Sequence, residues 1–145
     1  MAVRLGRAYD RHWRGRPPAM LAPDIPVWWR FVDKYGFMFE RIYYDAELGG
    51  PYYTEAQLKD PMIKMWRRLR SKRADAIVET QDEVWIIEVS QDAGLRAIGQ
   101  VLAYRALWLE DPQILKPERL LIVCQIIDED TAFSAAKHGI QVYVV

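Results

Sequence analysis

Apolar positions along this chain switch repeatedly between helical and strand spacing, and each switch outlines an element. Val27, Phe31 and Tyr35 recur one helical turn apart, behind Asp24 as an N-cap candidate and Pro26 in the first turn, and Gly36 closes the run. Residues 39–48 then alternate, with Phe39, Arg41, Tyr43 and Asp45 on one face and Glu40, Ile42 and Tyr44 on the other, up to Gly49-Gly50-Pro51. Helix is expected over residues 54–72, interrupted at Pro61 and ending in the basic run from Trp66 to Arg73.

The second half is patterned more sharply. Residues 74–79 read as a short strand, Thr80-Gln81-Asp82 as a polar turn, and residues 83–90 as a β-rich strand. In that strand Trp85, Ile87 and Val89 share one face, and Val84, Ile86, Glu88 and Ser90 the other. A helix over about residues 94–110 follows, with Leu95, Ile98, Leu102, Tyr104 and Leu109 as its apolar stripe and Asp111-Pro112 as its stop. Residues 119–124 form a buried strand, Asp128 or Asp130 caps a helix ending at Lys137-His138-Gly139, and residues 141–145 form a last strand. The short turn at 80–82 predicts an antiparallel hairpin, and the alternating tail predicts parallel neighbours joined by crossovers. The expected class is α/β, a mixed sheet flanked by helices over residues 24–145.

Residues 1–23 do not fit that pattern. They hold Arg4, Arg7, Arg11, Arg14 and Arg16, then Pro17, Pro18 and Pro23, with Pro26 just beyond, a density of proline that favours extended chain. A basic arm is expected here, disordered alone or ordered by docking on a partner. Trp13 and Tyr9 suit a protein surface or a nucleic acid equally, whereas Trp28, Trp29, Trp66, Trp85 and Trp108 read as packing residues.

Charge changes the picture more than composition does. The chain has 145 residues and no net charge, yet residues 1–73 carry 15 Lys and Arg against 8 Asp and Glu, and residues 74–145 carry 5 against 12. Either a basic half faces an anionic partner while an acidic half holds metal, or the halves complement each other internally. Arg67, Arg68, Arg70, Lys72 and Arg73 lead directly into the strand at 74, which marks them as candidate nucleic-acid contacts. The single cysteine, Cys124, forms no internal disulfide, and with two histidines it rules out a Cys/His zinc site. No run is long and apolar enough for a membrane span, and the opening residues lack the apolar core of a secretion signal. A cytoplasmic, reducing origin is the expectation.

Two carboxylates stand out against this background. Asp75 and Glu88 fall on neighbouring strands, and a carboxylate inside Val84-Trp85-Ile86-Ile87-Glu88-Val89 is costly to bury unless it is paired or holds metal. Together they offer hard oxygen ligands suited to Mg²⁺ or Mn²⁺, with the Val89 carbonyl as a third. The competing reading pairs Glu88 with Arg96 or Arg105. Arg96, Gln100 and Tyr104 lie four residues apart, so one helix face presents a cation, an amide and a phenol in line.

The succession Asp75, Glu88-Val89-Ser90, Gln100-x-x-x-Tyr104 resembles the PD-(D/E)XK nuclease superfamily, and the glutamine–tyrosine pair resembles that of its recombination-exonuclease branch. The resemblance implies a restriction-endonuclease-like three-layer core and Mg²⁺-dependent phosphodiester hydrolysis. It also implies Asp75 and Glu88 as metal ligands, with Gln100 and Tyr104 supporting them. Ala74 replaces the motif's proline, and Ser90 stands where the motif has lysine. A serine hydroxyl carries no charge to stabilise the transition state. The expected function is therefore a nuclease-fold protein with a degenerate site, serving as a nucleic-acid-binding or assembly component, as on a phage or mobile element. One alternative is an active nuclease in which Arg96 replaces the lysine. Another is a structural virion or complex subunit docked to a protein partner through residues 1–23.

Overall fold

The computed structural model describes residues 3–145. Its middle layer is a six-stranded sheet whose spatial order repeats the chain order: β1 (Val3–Arg4), β2 (Arg41–Leu48), β3 (Lys72–Glu79), β4 (Val84–Ala93), β5 (Glu118–Ile127) and β6 (Ile140–Val144). The strands up to β4 pair antiparallel, whereas β4–β5 and β5–β6 pair parallel. The expected α/β class and mixed sheet are thus observed. Thr80 and Glu83 close the β3–β4 hairpin through three hydrogen bonds of 2.9–3.2 Å.

Four helices complete the fold: α1 (Ile25–Tyr35), α2 (Pro61–Arg70), α3 (Leu95–Glu110) and α4 (Glu129–Lys137). Alternation along β4 divides the core into two layers, as the pattern requires. Trp85, Ile87 and Val89 pack with Trp28 and Phe31 of α1, and Val84 and Ile86 pack with Val101 and Trp108 of α3. Ala135 of α4 joins the α3 layer, as expected when successive crossovers of one hand progress in one direction. Trp28 and Trp108 are fully buried, and the Trp28 indole N–H donates to the Tyr44 hydroxyl at 2.9 Å. Among the described residues no helix is long and apolar enough to cross a membrane.

Several expectations are corrected. The basic arm expected over residues 1–23 is, over its described residues 3–23, packed on the domain. β1 pairs with β2, Tyr9 bridges Ile42, and Trp13 packs on Trp29 and Tyr44, while Val3 and Met20 are buried at 1% and 2% exposure. Pro61 opens α2 instead of interrupting it, because Asp60 caps the Met62 N–H at 2.9 Å and proline is at home in a first turn. Trp66 is half exposed, since α2 turns Met62, Met65, Trp66 and Leu69 outward. Leu95 and Leu109 are also exposed, and Ala97, Val101 and Trp108 take the inner face of α3.

β2 does not keep one phase. Ile42 and Tyr44 join the α1 layer, yet Ala46 and Leu48 join the α3 layer. The reversal falls at Asp45, whose backbone is left-handed with φ 51°, a conformation aspartate tolerates better than most side chains. Phe39 precedes the strand and lies with Ile42 and Tyr44, not on the Tyr43 face.

Candidate functional site

Strands β3 and β4 are paired from Glu79 opposite Val84 up to Ala76 opposite Ile87, and there the ladder ends. Asp75 and Glu88 are the next residues on each strand. The Val89 N–H donates to the Asp75 side chain at 2.8 Å instead of to β3 backbone, so Asp75 itself finishes the hairpin. A strand residue that exchanges hydrogen bonds directs its N–H and carbonyl to the same neighbour. The Val89 carbonyl therefore faces the gap where the two strands part.

Glu88 enters this gap from the α3 side and is only 9% exposed. Its carboxyl lies beside that of Asp75 and near the Tyr104 hydroxyl of α3, with Gln100 one turn earlier on the same helix. Oxygen Oε2 of Glu88 is buried with no hydrogen-bond partner. Neither expected arginine neutralises it. Arg105 bonds Glu118 at 2.8 Å, and Arg96 is exposed, without an ion pair to Asp75 or Glu88 among the described residues. Ser90 lies beside the pair, but its hydroxyl donates to the Asp92 carbonyl at 3.0 Å.

Electrostatics follow from that geometry. Burial, then the adjoining Asp75 carboxyl, pushes Glu88 up to about 9, and only the Tyr104 hydroxyl opposes them noticeably. Burial also raises Asp75, against the neighbouring Glu88 carboxyl and the bond it accepts from the Val89 N–H. Tyr104 is raised by its burial and by the two carboxyls near it. Both carboxyls are thus shifted toward the protonated form.

Two carboxylates the sequence reading did not place here also bear on the site. Asp24 stands at the start of α1 but does not cap it; its Oδ1 accepts from the Gln91 N–H at 2.8 Å, and its charge raises both Asp75 and Glu88. Nothing in the sequence marks this, since Asp24 with Pro26 in the first turn reads as an ordinary helix start. Asp45 lies across from Asp75, between the Tyr44–Ala76 and Ala46–Ala74 pairs, and nothing in the alternation of β2 marks its reversal. It accepts from Arg73 at 2.8 Å and from Arg68 at 3.3 Å. Of the five basic candidates, these two are thus engaged by Asp45, Arg67 bonds Glu47 at 3.4 Å, and Arg70 and Lys72 project into solvent.

The donors present fit a divalent cation of the Mg²⁺ kind. Among the described residues no three His, Cys, Asp or Glu side chains are grouped to share an ion. Mg²⁺, however, commonly takes one or two carboxylates and keeps several waters. The partnerless Glu88 oxygen supplies the orphaned acceptor that such an ion would satisfy. A cavity of about 520 Å³ opens at the other end of the β3–β4 hairpin, between Phe37 and Trp85, away from this chemistry. Comparison with protein-family models, curated proteins and solved structures finds no match to this chain.

Proposed function

We propose that this chain is a PD-(D/E)XK-type protein with a restriction-endonuclease-like core, and that it binds nucleic acid with little hydrolytic power of its own. One observation carries this reading: Glu88 is buried against Asp75 with an unpartnered oxygen and no cation of the chain beside it. Such a pair is costly to maintain unless a positive charge is part of the working state. The order of α1, three antiparallel strands, α3 and a parallel strand supports it, as does the position of Tyr104 and Gln100 over the carboxylates.

Asp75, Glu88 and the Val89 carbonyl would hold the ion, which when bound supplies Lewis acidity and charge neutralisation for a phosphodiester. The chain's own contribution is positioning. The Val89 N–H fixes Asp75, and the Tyr104 hydroxyl lies close enough to orient Glu88. A cation at position 90 is missing, and the Ser90 hydroxyl is committed to Asp92. The loss of one preorganised charge or donor of this kind weakens catalysis by about 10²–10³-fold.

The test is cleavage of labelled DNA and RNA with Mg²⁺ or Mn²⁺ by wild type, Ser90→Lys and Ser90→Lys/Glu88→Gln. Wild type is expected to cut slowly or not at all, Ser90→Lys to gain about 10²-fold, and the double variant to lose that gain. Mg²⁺ should also raise the Tm of wild type but not of Glu88→Gln. Fast, Glu88-dependent cleavage by wild type would replace this reading with that of an active nuclease. An inert Ser90→Lys together with no Mg²⁺ effect on Tm would remove the metal site altogether.

A further inference from the structure

A second unsatisfied cluster lies on the β1 side of the sheet, and it is cationic. Arg67 of α2 is buried at 9% exposure; its Nη2 bonds Glu47, but Nε and Nη1 are buried without a partner. Arg4 of β1 contributes a third such atom, its buried Nε, and makes no ion pair among the described residues. The two guanidinium groups are close enough for Arg4 to oppose the positive charge of Arg67, which burial already disfavours and Glu47 only partly restores. Both side chains line two adjoining cavities of about 190 and 300 Å³.

A guanidinium N–H buried without an acceptor is costly to leave unmet, the more so because the group is charged. Three in one place, on two like charges, make a surface complementary to an anion. The carboxylates in the larger cavity are already engaged, Asp45 by Arg68 and Arg73, and Glu47 by Arg67. Glu55 lines the smaller cavity and is exposed. Two guanidinium groups arriving from different elements suit a tetrahedral anion with several oxygens; a single carboxylate is filled by one guanidinium fork. Tyr52 and Tyr53 line the smaller cavity beside the arginines, with Tyr52 80% exposed, offering a ring on which a nucleobase could stack.

We infer that Arg4 and Arg67 form a phosphate-binding pocket, distinct from the Asp75–Glu88 site and independent of how that site is read. The shared chemistry is the phosphate group, whether on inorganic phosphate, a mononucleotide or a nucleic-acid chain.

The experiment follows the Nε–Hε resonances of Arg4 and Arg67 in the ¹⁵N-labelled full chain. Inorganic phosphate, a nucleoside 5′-monophosphate and a short oligonucleotide are titrated in turn, in phosphate-free buffer. EDTA is present throughout, which keeps metal-dependent phosphate binding at Asp75 and Glu88 out of the readout. Saturable shifts of both resonances are expected, with affinity falling at least about tenfold in Arg4→Gln, the loss of one charge-assisted pair. Tighter saturation by the nucleotide or oligonucleotide identifies a nucleic-acid source, and equal saturation by inorganic phosphate identifies the free ion. Arg67→Lys should also weaken binding by losing the planar fork; if that variant does not fold, Arg4→Gln and the wild-type titration decide. The inference is overturned if none of the three ligands saturates these resonances, as water alone in the cavities would have it. It is equally overturned if Arg4→Gln binds as wild type does, or if acetate binds more tightly than phosphate.

Discussion

A carboxylic acid placed like Glu88 reverses the usual effect of pH on stability. Its folded-state value is raised from 4.5 to about 9, so between these limits the folded chain keeps a proton that the unfolded chain releases. Stability in the absence of metal therefore falls as pH rises through that window, by up to about 1.4 kcal/mol per pH unit. Asp75, raised for the same reason, adds in the same direction. Glu88→Gln keeps the shape and removes that proton exchange, so its urea midpoint in EDTA should fall less from about pH 5.5 to 8.5 than the wild-type midpoint, the remaining slope being that of Asp75. Parallel curves for the two proteins would show that Glu88 ionises normally. At this scale the sequence was informative where burial made a polar residue expensive. Glu88 is conspicuous inside an apolar strand, whereas Asp24 looks like an ordinary cap until the Gln91 backbone is brought to it.

At the scale of elements, local pattern and tertiary packing part company in the first 70 residues. The strands and helices after residue 72 were legible because their apolar periodicity is strong and their stops are proline, glycine or a cap such as Asp128, which accepts from the Thr131 N–H at 2.8 Å. The segment 1–23 was not, because arginine and proline dominate it and its two deeply buried anchors, Val3 and Met20, are isolated in sequence. Such single anchors have no period to detect, yet each contributes about 1.5–3 kcal/mol of burial. Met20→Ala should therefore lower stability by about 2–5 kcal/mol. Met65→Ala, on the exposed face of α2, should stay within about 0.5 kcal/mol of wild type. Equal effects in chemical denaturation would mean that segment 1–23 does not rest on the domain in solution. Asp45 is a related case, since a reversal of strand phase by one left-handed residue leaves no mark in the alternation that precedes it.

Because the sheet order repeats the chain order, the charge asymmetry of the sequence becomes an asymmetry of the whole molecule. In the strands the basic and acidic halves fall on opposite sides of the Asp75–Glu88 gap, while α1 carries Arg30 across to the β5–β6 side, where it bonds Gln125 and Val145. Internal complementarity uses part of the basic side: Arg68 and Arg73 are spent on Asp45, and Arg67 gives one of its N–H groups to Glu47. Lys64, Arg70 and Lys72, close to them in the chain, are exposed and make no ion pair among the described residues, so they are cations available to a phosphate backbone. Counterion release then sets a quantitative expectation. Three duplex contacts give a slope of log affinity against log salt near −2.7, or about 40-fold weaker binding at 200 mM than at 50 mM salt. Replacing all three residues by serine should flatten that slope by nearly the whole amount, because Arg68 and Arg73 cannot compensate without abandoning Asp45. Fluorescence anisotropy of a labelled oligonucleotide across that salt range measures both slopes. If the triple variant retained the wild-type slope, these three cations would take no part in binding, and nucleic acid would have to be engaged elsewhere.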